Sequence, residues 1–584
     1  MGSLRKILGF LAPYKGLLIL ASVLTGTLTL IGMAPPLLMR RLVNDAAGRG
    51  NWGLFPLIIS LLFAVPLLRA VVNVANSIAL NTVSLGVIAK TRKRMFDRLM
   101  RLSLRFYDEM PVGSISQRLM GDVANVSAVV TGGVIALLTD VIAVGFAAVV
   151  MLGLSRPLSL LTAALLPLYY LNYRAFSKRI QQASAQLRAQ MDHISSMLQE
   201  RLSAHELIQA YGQEKAEATL FSSQAKQIMD AAVRGSTYNI SYNQISAFAN
   251  KLCNTAIYCA GCYCFVKGSM GYGDVIAFCA YATQLLGPVV RFSSVANQLN
   301  RVGVSVDRIA EILAREPDIK EVPEPAPVGT LQGDIRLEGV SFSYDDARPV
   351  LKAVDLEIPA GAHVAVVGPA GAGRTTLAML LQRFYDPVEG RIEVDGRDIR
   401  EYRLREYRRA IALVPPEATI FDGTLRENLC YGRPDAPEER MVDVANAVGL
   451  GDFVAGLEDG YETRVGTGGL KLPAGVQQQV GTARALLAEP LILIVDEATA
   501  SLDPDSAVTV TDAVRNAMEG RTCVLIVSRV LLARDADKVV VLQDGHVVET
   551  GTHEELAALP DGVYRLIYAR QYGAAHLPPP REGT

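Results

Sequence analysis

Two short stretches carry residue types that can do phosphate chemistry. The first, "VVGPAGAGRTTLAML" from Val366, spaces Gly368, Gly371 and Gly373 as a phosphate-binding loop requires, with Thr375 and Thr376 just behind them. In such a loop, backbone N–H groups at a helix start point at phosphate oxygens, and the hydroxyl at the Thr375 position holds Mg²⁺. The position between Gly373 and Thr375, normally lysine, is Arg374. Arginine keeps the charge, but its planar fork cannot simply occupy the pocket of a compact ammonium, so phosphate affinity is expected to fall without vanishing. The second stretch, "LILIVDE" at 491–497, is an apolar run ending in two carboxylates. Asp496 suits Mg²⁺ support and Glu497 suits polarising an attacking water. The plainer alternative is a buried strand that ends in a solvated acidic turn.

The surrounding pattern supplies the elements that would position these groups. "IRLEGVSFSY" alternates as a strand should, "VLKAVDLEI" reads as a second strand, and "HVAVVG" as a short buried one entering the glycine loop. "TTLAMLLQRFY" continues as a helix. Strand, glycine loop and helix in that order are the context a phosphate loop needs, and they make the motif specific. Upstream, "VPEPAPVGTLQGD" at 322–334 reads as a Pro/Gly-rich linker.

The chain has 584 residues, half of them hydrophobic, and a formal net charge of −1. The balance gives no reason to expect nucleic acid as a partner. The apolar residues are concentrated before residue 310 in runs long enough to cross ~30 Å of hydrocarbon. Six spans are expected, near 15–38, 55–80, 128–153, 157–175, 244–267 and 274–298, with a kink at Pro35 and Pro36. The segments 81–127 and 176–243 are long, rich in Lys and Arg and helically patterned; outer connections such as 46–53 are short. By the positive-inside tendency, the long segments and both termini face the cytoplasm, and the helices extend well beyond the bilayer. No cleavable signal is evident in residues 1–12.

Polar residues inside spans are the candidates for transport chemistry. Arg69 and Asp140 fall within or near spans two and three and could pair. Asn250, Lys251, Asn254 and Gln284 could line a polar cavity or simply bond between helices. Of the seven cysteines, Cys253, Cys259, Cys262, Cys264 and Cys279 cluster in apolar segments. Packing of small thiols is favoured over a metal site built on Cys259 and Cys262.

Taken together, the order of these pieces resembles the ATP-binding cassette (ABC) exporters with six membrane helices fused to one nucleotide-binding domain, over about residues 5 to 570. "RFYDEMPVGSISQRLMGDV" (105–123) is similar to the family's first coupling-helix region, "IQAYGQEKAE" (208–217) to the segment after its second, and "GDVIAFCAYATQLLGPV" (273–289) to the start of its sixth helix. Tyr344 matches the aromatic that stacks on adenine, "FDGTLRENL" follows the glutamine-loop region, and "SLD" at 501–503 matches the D-loop. The resemblance implies a membrane α-helical domain of six transmembrane helices (1–315), a linker (316–334), a soluble α/β P-loop ATPase domain (335–571) and a flexible tail (572–584). It implies ATP and Mg²⁺ as ligands, membrane lipids as surroundings and a bacterial inner membrane with the nucleotide-binding domain in the cytoplasm.

Five elements depart from the family pattern. Its Walker A lysine is Arg374, and its Q-loop glutamine falls at Pro416. Its Leu-Ser-Gly-Gly-Gln signature reads Leu472-Pro473-Ala474-Gly475-Val476. Its switch histidine falls at Ser528 and its X-loop glutamate at Thr467. Pro416 offers neither side-chain amide nor backbone donor, and Ser528 cannot reach a γ-phosphate as an imidazole would. In the family, two cassettes dimerise head to tail, so Pro473 and Val476 would weaken the site on the other chain. The resemblance therefore implies an exporter subunit that binds ATP, hydrolyses it poorly and carries an unidentified hydrophobic or amphipathic substrate. A heterodimer with a second half-transporter is favoured over a homodimer. The competing reading is a non-transporting pseudo-ATPase acting as a membrane scaffold or nucleotide sensor, and a fully active homodimer is a third.

Overall fold

The computed structural model describes residues 12–128, 135–329, 331–345, 348–499, 502–528 and 530–572; the side chains at 12, 136, 166, 169, 170, 286–301, 531 and 532 are left aside. Ser501 and the tail from 573 lie outside these residues. The chain divides into two compact units, Met1–Met100 with Val112–Arg315, and Arg101–Pro111 with Glu316–Thr584.

The first unit is helical. The chain runs through α1 (Lys15–Gly32), α2 (Ala34–Arg41) and α3 (Phe55–Leu99), and then through α4 (Leu104–Glu109), which belongs to the second unit. It continues through α5 (Ile135–Leu154), α6 (Arg156–Ser203), α7 (Glu214–Val266) and α8 (Tyr272–Ala314). At 1.5 Å per residue, α3, α6 and α7 run to roughly 70–80 Å, more than twice the hydrocarbon thickness, so much of each extends outside it. Lys15–Ala47, Trp52–Leu99 and Leu137–Leu154 are each long and apolar enough to cross a membrane.

The first span does break at its prolines. α1 ends at Gly32, and Pro35 and Pro36 fall in the first turn of α2, where a missing N–H costs nothing. Near the end of the same span, Arg40 and Asn44 both bond the Asp274 carboxylate at the start of α8, and the Gly273 N–H donates to Asn44 at 2.8 Å. A Cβ at Gly273 would lie 2.6 Å from the Arg40 carbonyl oxygen, so the glycine there is a matter of space.

Two of the polar residues expected in the spans bond to one another. Asn254 donates to Asn250 at 2.8 Å and accepts from Thr283 at 3.1 Å, while the Gln284 side-chain oxygen is buried without a partner. An open groove between α7 and α8 is lined by Asn254, Thr255, Tyr258, Cys259, Cys279 and Thr283. The cysteines are free thiols, and the described residues hold no cluster of three or more metal-ligating side chains. Asp140 is buried on α5, and the Arg69 guanidinium lies against Gly32.

The second unit is built on strands β1 (Ile335–Phe342), β2 (Leu351–Ile358), β3 (His363–Val367), β4 (Glu389–Val394), β5 (Arg397–Asp398), β6 (Ile411–Val414), β7 (Gly423–Thr424), β8 (Arg464–Val465), β9 (Ile492–Asp496), β10 (Thr522–Ile526), β11 (Lys538–Gln543) and β12 (His546–Gly551). The order β2-β1-β4-β5 forms an antiparallel sheet, and β12-β11-β3-β10-β9-β6 a larger one in which only the β12 edge runs antiparallel. Strands β3, β9 and β10 read as unbroken apolar runs because both faces are covered, as parallel strands require. Register fixes the site: Ile526 pairs with both Val366 and Asp496, so the loops after β3, β9 and β10 leave the sheet at one end. In open α/β sheets, ligands bind there.

One expectation needs correcting. The helix after the glycine loop, α9 (Arg374–Leu381), is shorter than "TTLAMLLQRFY" suggests, because Arg383 turns the chain with φ +53. Its guanidinium, 1 % exposed, donates to Asp386 at 3.0 Å and to the carbonyls of Ile399 and Lys320. The Pro/Gly-rich linker bonds to the same unit: Ala326 N–H bonds the Glu401 carbonyl, Arg403 N–H bonds the Ala326 carbonyl, and Val328 N–H bonds Glu406. Arg383→Ala, which leaves Asp386 and two carbonyls without their donor, is expected to destabilise this unit by about 3–5 kcal/mol. Thermal or denaturant unfolding of the purified chain measures it.

Candidate nucleotide site

The phosphate loop is shaped by its glycines, two of which hold positive φ and two of which leave little room for a Cβ. Gly373 has φ +100 and caps α9, and a Cβ there would lie 2.6 Å from Leu351 Cδ2. A Cβ at Gly368 would lie 2.2 Å from the Leu542 carbonyl oxygen of β11. Gly371, at φ +82, has open space around it. The loop thus packs against the larger sheet at Gly368 and against the antiparallel sheet at Gly373.

Behind the loop, the carboxylate of Asp496 at the end of β9 is 2 % exposed. It accepts a hydrogen bond from the Thr375 hydroxyl, and its Oδ1 is buried without a partner. Burial pushes its pKa up, with Glu497 adding to the rise and Thr375 and Arg374 opposing it. A buried carboxylate oxygen without a donor, next to a threonine hydroxyl and a glycine cradle, is a fitting site for Mg²⁺ held with phosphates.

Arg374 does something the sequence did not foretell. One guanidinium nitrogen donates to the Val527 carbonyl at 2.7 Å, just beyond β10. Another pairs with Glu497 Oε1 at 2.8 Å, with the two side chains 12 % and 26 % exposed. The fork thus joins the glycine loop, the acidic end of β9 and the end of β10. A lysine, with one compact ammonium, matches this divided geometry poorly. Glu497 sits at φ +47, an uncommon conformation for a non-glycine residue.

Tyr344 is 41 % exposed; its hydroxyl lies 3.0 Å from the Thr376 hydroxyl, which is thereby occupied within the protein. Pro416 lies exposed two residues past β6, beside the Pro415 carbonyl that accepts from Gln478 at 2.7 Å. The Ser528 carbonyl accepts from Gln571 at 2.6 Å, a contact from the last helix that no local sequence pattern reveals. Pro416 and Ser528, with Arg374, Thr375, Asp496 and Glu497, lie at or after the ends of β6, β10, β3 and β9 on one side of the larger sheet, whereas Tyr344 follows β1 of the antiparallel sheet.

The signature positions stand on a different element. Pro473 is the N-cap of α10 (Ala474–Leu487) and gives no side-chain cap to its first N–H groups. Ala474 and Gly475 form the first turn, with the Gly475 Cβ position 3.0 Å from Ser506 Oγ, and Val476 packs on the core. Thr467 is exposed after β8. The D-loop carboxylate Asp503 caps α11 (Pro504–Met518), accepting from the Ser506 N–H at 3.0 Å.

Comparison with known proteins agrees with this architecture. Residues 16–289 match the ABC transporter transmembrane region and residues 351–500 the ABC transporter domain. The chain is 32 % identical to an uncharacterized ABC transporter ATP-binding protein, YknV of Bacillus subtilis, covering 98 % of this chain and 94 % of the relative. It is 30 % identical to an ATP-dependent lipid A-core flippase of Syntrophus aciditrophicus, covering 95 % and 92 %. The structure of a bacterial Atm1-family ABC exporter with ATP bound superposes with a TM-score of 0.79 at 27 % identity, covering 97 % of this chain and 98 % of that one. The chain therefore belongs to the ABC transporters, as an exporter subunit that carries its helical membrane domain and its P-loop ATPase domain on one polypeptide.

Proposed function

We propose that this subunit binds Mg²⁺-ATP in its own cassette, hydrolyses it poorly, and works with a partner half-transporter that retains more of the hydrolytic machinery. The observation that carries this reading is the Arg374–Glu497 ion pair. Glu497 is the group suited to polarise water, yet its carboxylate is engaged by the cation that should face the phosphates. ATP supplies the phosphoanhydride and Mg²⁺ neutralises its charge; the protein contributes position and electrostatics. The glycine loop aims backbone N–H groups, Thr375 and Asp496 are placed to hold the metal, and Tyr344 offers a face to the base. What this chain lacks is an amide at Pro416 and an imidazole at Ser528. Losing one transition-state contact costs roughly 10²–10³ in rate, and such groups act as a unit. Pro473 and Val476 would likewise offer the partner's nucleotide neither hydroxyl nor amide. Binding and dimer closure, rather than hydrolysis in this cassette, would then drive the conformational swing.

For the substrate, a hydrophobic or amphipathic molecule is favoured. The α7–α8 groove presents amide, hydroxyl and thiol groups amid apolar spans, and one similar protein is named a lipid A-core flippase. Reconstitution in bacterial-lipid vesicles, alone and with a candidate partner half-transporter, tests the reading. Stimulated ATP turnover and substrate movement should require the partner. No turnover and no movement in either case would favour the scaffold or nucleotide-sensor reading instead.

A further inference from the structure

Three aromatic rings and one carboxylate link the base side of the candidate site to α4. The Tyr344 ring meets Phe342 edge-on, with centroids 5.0 Å apart at 87°, and Tyr385 likewise, at 5.3 Å and 90°. Phe342 and Tyr385 also touch, at 5.3 Å, and are 1 % and 5 % exposed. Tyr344 is thus the solvent-facing member of a packed triad, its tilt set by two buried neighbours and its hydroxyl tied to Thr376. The Tyr385 hydroxyl donates to Asp108 Oδ2 on α4, and Leu104 of the same helix packs against the core that holds the triad. Burial first, and then the Asp108 carboxylate, push the Tyr385 pKa upward, so the phenol remains a donor.

We propose that Tyr385 is a positioning residue through which occupation of Tyr344 by a purine base is coupled to α4, with Asp108 as its anchor. This rests on the nucleotide-binding reading above. Edge-to-face ring contacts are directional, so a shift of Tyr385 changes the face that Tyr344 offers. A displacement of Asp108 moves the Tyr385 hydroxyl, because a buried hydroxyl does not give up its acceptor cheaply. Coupling of this kind is reciprocal: base binding must steady α4 by as much as α4 steadies the base site. A ligand with phosphates but no base engages the glycine loop alone and leaves the relay untouched.

The test uses the full chain with Mg²⁺ and two probes, ATP and inorganic tripolyphosphate. Affinity is read for each, together with hydrogen exchange across residues 101–111. In the unaltered chain, ATP should slow exchange there and tripolyphosphate should not. Tyr385→Phe and Asp108→Ala should each weaken ATP binding roughly three- to tenfold, the worth of one hydrogen bond, and abolish the protection, with tripolyphosphate affinity unchanged. The double variant should be no worse than either single one. Asp108→Asn, which keeps an acceptor oxygen, should bind ATP within about twofold of the unaltered chain. Equal weakening toward both probes would overturn the proposal, since it marks a role in the fold and not toward the base. Unchanged ATP affinity and protection in Tyr385→Phe would overturn it too. If the unaltered chain binds tripolyphosphate and ATP equally weakly, the nucleotide-binding reading itself fails, and the relay with it.

Discussion

ATP turnover by the purified chain is expected to rise about 10²–10³-fold when Arg374→Lys, Pro416→Gln and Ser528→His are introduced together. Each change returns a different function. Arg374→Lys removes the fork that spans the Val527 carbonyl and Glu497, so the carboxylate is released and a compact charge is offered to phosphate. Pro416→Gln adds a side-chain amide past β6, at the sheet end where Asp496 and Glu497 emerge. Ser528→His puts an imidazole beyond β10, whose Ile526 pairs with Asp496. Single restorations should gain little, because groups that act as a unit are not additive. Phosphate release in detergent or lipid discs measures the gain, and adding Glu497→Gln to the triple variant should abolish it. A triple variant no faster than the unaltered chain would place the defect elsewhere.

The second large effect is expected at Gly373. Alanine there must hold φ +100 and push aside Leu351, whose Cδ2 lies 2.6 Å from the Cβ position. Strain of this kind costs roughly 1–3 kcal/mol, and the loop can relieve it only by turning the N–H groups that face the phosphates. Gly373→Ala should therefore weaken ATP binding about tenfold or more, read from the titration of a fluorescent ATP analogue. Gly371→Ala supplies the contrast, with positive φ but open space, and should lose less. Gly368→Ala meets the backbone oxygen of Leu542 at 2.2 Å and should lower the thermal midpoint as well as the affinity. Equal affinities for all three variants and the unaltered chain would mean that this loop does not hold the nucleotide.

Local pattern carried much of this. The run from "HVAVVG" into the glycines, the acidic end of "LILIVDE" and the apolar spans depend on neighbours in sequence, and β3, β9, the start of α9 and the long helices stand where those patterns place them. Partners far along the chain were not legible. That Arg374 reaches Glu497, 123 positions on, follows from β3 and β9 flanking β10, a sheet order no local periodicity encodes. The same holds for Asp108, whose stretch resembles a coupling region of the membrane half but which bonds Tyr385 within the second unit. "TTLAMLLQRFY" reads as one helix because every residue in it tolerates helix; burial of Arg383 in a positive-φ turn overrides that propensity. The Pro and Gly content of the linker is legible locally, whereas its backbone bonds to Glu401, Arg403 and Glu406 depend on the folded surface.

The most direct measurement is ATP binding and single-turnover hydrolysis by the unaltered, purified chain with Mg²⁺, side by side with the triple variant. Saturable ATP binding is predicted, with phosphate release slower by about 10²-fold or more than in the triple variant. Brisk turnover by the unaltered chain that Glu497→Gln abolishes would contradict the claim of a binding cassette with impaired hydrolysis.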